Sequence, residues 1–139
     1  MKRALITGIG GQDGSYLAEL LLERGYAVAG VVRPGASEYP NLEPVRERID
    51  LHEADLLDQR SLAAALEAAR PGEVYNLASP SFVPASWERP VATAEFAAVG
   101  ATSLLEAIRA VDPAIAFTRL RPARSSASRA RARRQRRRR

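Results

Sequence analysis

Gly8, Gly11 and Gly14 in Ile6-Thr7-Gly8-Ile9-Gly10-Gly11-Gln12-Asp13-Gly14 separate an apolar stretch from a segment of helical periodicity. Ala4-Leu5-Ile6 suits a buried strand, and from Ser15 the apolar residues Leu17, Ala18, Leu20 and Leu21 recur at helical spacing until Gly25. A strand that turns over glycines straight into a helix gathers free backbone amides at the positive end of that helix, where a pyrophosphate fits. One glycine permits the turn, one lets the backbone approach the phosphates, and one lets helix and strand pack closely. The spacing is Gly-x-x-Gly-x-x-Gly, and its strand and helix flanks mark it as a dinucleotide-binding turn.

The alternation continues downstream. Tyr26 to Val32 reads as a second strand, Asp50 to Ala54 ends a third, and Ser61 to Ala69 is helical in pattern. Glu73 to Leu77 is another short strand, Val91 to Val111 a long helix carrying Leu104, Leu105 and Ile108, and Ala114 to Phe117 starts a further strand. Strand and helix in strict succession predict an α/β fold, a partial Rossmann-like, doubly wound parallel sheet covered on both faces.

The formal charge of +5 averages two segments of opposite character. Residues 1–115 hold 10 Lys and Arg against 16 Asp and Glu, whereas residues 116–139 hold 11 Arg and no acid. From residue 119 the periodicity gives way to Arg, Ala, Ser and Pro, a composition that cannot bury a core and predicts disorder. The expected division is a truncated, cofactor-binding Rossmann-like domain over 1–117 and a disordered basic tail over 118–139. The abrupt charge reversal in mid-strand suits translation of that tail in a wrong reading frame.

The chain has no cysteine, which excludes disulfides, thiolate catalysis and cysteine zinc sites, and the single His52 cannot build a metal cluster. His52 reads as a solvated strand-end residue. No run reaches the roughly 18 to 20 consecutive apolar residues that span a bilayer. Met1-Lys2-Arg3 leads directly into a strand, not into a signal peptide, so the expectation is a cytoplasmic protein without a membrane partner.

Arg33 stands at the end of the second strand, where folds that prefer NAD carry an acid for the ribose 2′-hydroxyl. A guanidinium there suits a 2′-phosphate, which it grips with paired charge-assisted hydrogen bonds, so NADP is the expected cofactor. Asp55, at the end of the third strand, can accept from an adenine amino group, while Asp58 is placed to cap the next helix. Tyr75-Asn76-Leu77-Ala78-Ser79 ends the fourth strand in small residues that allow a cofactor near the backbone.

On these residues, the chain resembles the extended short-chain dehydrogenase/reductase family of nucleotide-sugar enzymes, and within it the GDP-mannose 4,6-dehydratases. The resemblance covers about residues 1–117. It rests on Thr7 to Leu17, Val31-Val32-Arg33, Asp55-Leu56 and Tyr75 to Val83, with Gln12-Asp13-Gly14-Ser15-Tyr16 the stretch that separates this branch from most sister epimerases. It implies that NADP is contacted by Gly8, Ile9, Gly10, Gly11, Gln12, Asp13, Gly14, Arg33, Asp55, Leu56, Leu77, Ala78, Ser79, Pro80 and Ser81. Ser81, Phe82, Val83, Ser86 and Trp87 would lie along the entrance for GDP-mannose or a related nucleotide sugar. Pro80 departs from the commoner residue there and removes one backbone donor.

The implied chemistry is oxidation of the sugar at C4, loss of water across C5 and C6, and return of the hydride to C6. It requires a Tyr-x-x-x-Lys pair, a Ser or Thr and a carboxylate. This chain has no Tyr after Tyr75 and no lysine but Lys2. No catalytic residue is therefore assigned, and the chain is expected to be inactive alone. Full-length members of such a family can form homo-oligomers. Two other readings stay open: a fragment of a sister epimerase or reductase, and polyanion binding through the arginine tail. For the latter the sequence offers charge but no reading element for a specific nucleic acid.

Overall fold

A computed structural model describes residues 1–78 and 88–120. Five strands, β1 (Arg3–Thr7), β2 (Ala27–Val32), β3 (Ile49–Glu53), β4 (Glu73–Asn76) and β5 (Ala116–Arg119), form one parallel sheet in the order β3-β2-β1-β4-β5. Helices α1 (Gln12–Glu23), α2 (Gln59–Ala69) and α3 (Pro90–Val111) and a 3-10 segment (Pro40–Arg48) connect them. The expected doubly wound sheet is present. Helix α1 begins at Gln12, one turn earlier than periodicity located it, because Gly11 already serves as its N-cap.

Successive residues of a strand point to opposite faces, and here both faces are dry. On one face Ala4, Ile6, Val28 and Val32 meet Ala18 and Leu21 of α1 and Leu42 and Val45 of the 3-10 segment. On the other, Leu5, Ala29, Val31 and Val74 meet Leu62 and Leu66 of α2 and Leu104 and Ile108 of α3. The continuous apolar runs of β1 and β2 follow from this double burial.

Helix α3, 22 residues with a window of mean hydropathy 1.4, is long and apolar enough to cross a membrane by length and composition. Its residues Leu104, Ala107 and Ile108 are nevertheless part of this domain's core, and Gly100 and Ala101 are buried beside them. The helix does not mark a membrane protein. His52 is half-buried within β3, more enclosed than a solvated strand end. Strand β5 continues through Arg119, two residues past the boundary expected at 117, with Thr118 beside Tyr75 and Arg119 beside Asn76.

Candidate dinucleotide-binding site

The chain leaves β1 toward β2 on one side of the sheet, while β4 continues toward β5 on the other. The carboxyl ends of β1 and β4 therefore flank the point where the strand order reverses, the place where open α/β sheets bind ligands. Here the structure opens a cleft of about 1000 Å³ lined by the glycine turn, the ends of β2 and β4, the segment after β3, and Phe96 of α3.

Gly8 follows β1 directly with φ +69°, and a Cβ on it would stand 2.7 Å from the Ala78 amide nitrogen. A Cβ on Gly14, in the first turn of α1, would collide with the Gly8 carbonyl oxygen and lie 2.7 Å from the Ile9 Cα. Any side chain at either position would push α1 or β4 away from the turn. Gly11 closes the turn: its N–H donates to the Gly8 carbonyl at 3.1 Å, and its own carbonyl accepts from the Ser15 N–H at 3.0 Å. The amides of Gln12, Asp13 and Gly14 are then left without intrahelical acceptors, at the positive end of a 12-residue helix.

Thr7 ties the two flanking strands together. Its buried hydroxyl donates to Asn76 Oδ1 at 2.6 Å and accepts from the Ala78 N–H at 3.2 Å, while its carbonyl accepts from the Leu77 N–H at 3.2 Å. The floor of the cleft is thus fixed by hydrogen bonds between residues about 70 apart in sequence. On the opposite wall the loop after β2 folds back. Asn41 Nδ2 donates to the Gly10 carbonyl at 3.2 Å, and the Tyr39 ring lies 3.1 Å from where a Gly10 Cβ would be.

Arg33 is exposed at the end of β2 and lines the cleft. Its guanidinium lies 5.7 Å from the centroid of the Phe96 ring. Among the described residues, no carboxylate pairs with it and no side-chain hydrogen bond engages it. Asp55 lines the same cleft. One of its carboxylate oxygens accepts from the Leu57 N–H at 2.9 Å, and its own N–H donates to Ser61 Oγ at 3.0 Å, which stiffens the segment after β3. Asp58 caps α2 as its sequence position indicates, accepting from the Arg60 N–H at 3.0 Å.

Gly8, Gly10, Gly11, Gln12, Asp13, Gly14, Arg33, Asp55, Leu56, Leu77 and Ala78 are brought together around this cleft. Ile9 is not among its lining residues, because its side chain is fully buried in the core beneath the turn. Only the Ile9 backbone belongs to the turn. Ser79, Pro80, Ser81, Phe82, Val83, Ser86 and Trp87 lie outside the described residues. Sequence reasoning missed Tyr39, Phe96 and Gly30. A Cβ on Gly30 would stand 2.5 Å from the Ile9 side chain, so this strand glycine makes the room in which Ile9 anchors the turn. A lone glycine inside an apolar strand is the available signal for such a close approach.

A parallel sheet in this order, with a three-glycine turn at its reversal point, defines a Rossmann-type fold of the short-chain dehydrogenase/reductase class. Comparison with known proteins narrows this. The chain belongs to the GDP-mannose 4,6-dehydratase family, whose model, "GDP-mannose 4,6 dehydratase", matches residues 5–128. That match runs past residue 117, into the basic segment. The GDP-mannose 4,6-dehydratase of Yersinia enterocolitica is 45% identical over 117 residues, which cover 78% of this chain and 32% of that protein. The chain therefore spans about a third of the length of such a relative.

Among solved structures, the UDP-glucose 4-epimerase of Thermus thermophilus in complex with NAD superposes with a TM-score of 0.70 at 32% identity, covering 78% of this chain and 34% of that one. The UDP-glucose 4-epimerase of Brucella ovis in complex with NAD gives a TM-score of 0.70 at 28% identity, covering 81% and 34%.

Proposed function

We propose that this chain is the NADP-binding portion of a nucleotide-sugar dehydratase that converts GDP-mannose to its 4-keto-6-deoxy product. Family membership supports the substrate, and a cytoplasmic setting belongs to the same reading. The observation that carries the cofactor assignment is the pairing of two anion sites across one cleft. At one end lies the Gly8–Gly14 cradle with the free amides of Gln12, Asp13 and Gly14, and at the other the Arg33 guanidinium without a carboxylate partner among the described residues.

The cradle would hold the pyrophosphate, Arg33 the 2′-phosphate, and Asp55 with Leu56 the adenine edge. Leu77, Ala78, Ser79, Pro80 and Ser81 would follow the cofactor along the end of β4 toward the sugar entrance at Ser81 to Trp87. When bound, the nicotinamide supplies a hydride acceptor that returns what it takes within one turnover. The Thr7–Asn76–Ala78 hydrogen bonds keep the β4 end from yielding as it does so. Proton transfer at the sugar needs the Tyr-x-x-x-Lys pair that these 139 residues lack.

Titration of the chain with NADP and NAD tests this reading. Arg33→Ala should weaken NADP by about 1–3 kcal/mol and leave NAD nearly unchanged. Equal losses for both would remove Arg33 from the 2′-phosphate site. The unaltered chain should give no 4-keto-6-deoxy product from GDP-mannose, and turnover would overturn the assignment of catalysis to residues outside it. The wrong-frame origin of residues 118–139 belongs to the same proposal. Resequencing the gene should reveal a second frame that encodes a Ser/Thr-rich segment, a Glu and Tyr-x-x-x-Lys; a verified gene without such a frame would exclude it.

A further inference from the structure

We propose that Phe96 of α3 is a positioning residue that sets the preference for a 2′-phosphate by holding the Arg33 guanidinium over the cleft; this rests on the NADP reading above. An arginine at a strand end has several rotatable bonds and loses part of its binding energy when it must be ordered by its ligand. Here the side chain already has a seat. The Phe96 ring is half-buried and backed by the core cluster of Leu5, Leu104 and their neighbours, so its position is fixed by packing. Its centroid is 5.7 Å from the guanidinium carbon, within the distance at which the ring quadrupole attracts a cation.

A ring attracts a guanidinium without consuming its N–H donors as a carboxylate would. All five donors remain available for a phosphate, because no acceptor among the described residues engages them. Both residues line the cleft, so an ordered guanidinium stands where the adenosine end of a dinucleotide lies under the NADP reading. An acidic partner would have held Arg33 equally well but neutralised the charge that discriminates. An aromatic partner holds it and keeps the charge.

The test is isothermal titration of the full 139-residue chain with NADP, NAD and 2′,5′-ADP at about 0.2 M salt, which suppresses nonspecific anion binding by the arginines. Phe96→Leu should weaken NADP and 2′,5′-ADP about fivefold and change NAD less than twofold, while Phe96→Tyr restores the original ratio. In the Arg33→Ala background, Phe96→Leu should cost nothing further, since the ring acts only through the guanidinium. Phe96→Met, which keeps the apolar bulk but not the ring, should behave as Phe96→Leu and serves if the leucine variant unfolds.

Equal weakening of NADP and NAD by Phe96→Leu and Phe96→Met would overturn the proposal, as would no change in either. If Arg33→Ala discriminates between the cofactors but Phe96→Leu does not, only the role of Phe96 fails. If Arg33→Ala does not discriminate, or the folded chain binds neither dinucleotide, the NADP reading fails and the proposal with it.

Discussion

Gly30 and Ile9 exchange space that neither sequence neighbourhood reveals. Residue 30 gives up a side chain in the middle of β2, and Ile9, 21 positions earlier, fills the volume and pins the turn to the sheet. Gly30→Ala should destabilise the fold by about 2 kcal/mol, because the packed Ile9 must leave its seat. Ile9→Ala alone should cost about 2–5 kcal/mol through its cavity. The two together should cost less than their sum, which denaturant unfolding of the four proteins measures; strict additivity would show that the two sites are independent.

At the opposite end of the sheet, Glu73 accepts from the Tyr75 hydroxyl at 2.8 Å and from the Tyr26 hydroxyl at 3.2 Å. The Glu73 hydrogen bond first, then burial, pushes Tyr75 ionisation up to about 12 from its ordinary value near 10. A raised folded pKa means that this contribution is intact below pH 10 and is lost as pH climbs toward 12. Tyr75→Phe should therefore lose about 1 kcal/mol at neutral pH and show a shallower decline in stability between pH 10 and 12. Parallel decline in both proteins would disprove the link.

Helix α3 shows what element-level reasoning can and cannot extract. Its apolar periodicity is plain in the sequence, yet Leu104 and Leu105 look equivalent there, and the structure buries the first completely while leaving the second 45% exposed. Leu104→Ala should cost about 2–5 kcal/mol, whereas Leu105→Ala should stay within about 0.5 kcal/mol. Similar losses from both, in chemical denaturation, would mean that the helix is rotated from the position described. The strands and helices were legible because their apolar residues follow one period each. The 3-10 segment Pro40–Arg48 was not, since it contains two prolines and four charged residues and buries only Leu42 and Val45. The candidate site divides the same way. The glycine cradle, Arg33 and Asp55 are local strand-end signals, whereas Phe96 and Tyr39 reach the cleft only through long-range packing.

For the whole molecule, two anion-attracting features share one chain, and they differ in kind. The cleft offers shaped donors on a fixed sheet, and the segment after β5 offers charge: ten of the 19 residues from 121 to 139 are arginine. Arginine-dense segments bind any polyphosphate by releasing counterions, with affinity that falls steeply as salt rises. A shaped phosphate cradle depends far less on salt, because its uncharged amides and the guanidinium act at short range. Removing residues 121–139 leaves β5 intact to Arg119 and should leave NADP affinity at about 0.2 M salt within twofold. The same deletion should abolish retention on a heparin column at low salt. If NADP binding disappears with the tail and its remaining salt dependence tracks that of heparin, the dinucleotide is held by bulk charge and not by the glycine turn. If affinity survives the deletion and falls only on Arg33→Ala, recognition belongs to the folded α/β body, and the net basic charge of the chain says nothing about its partner.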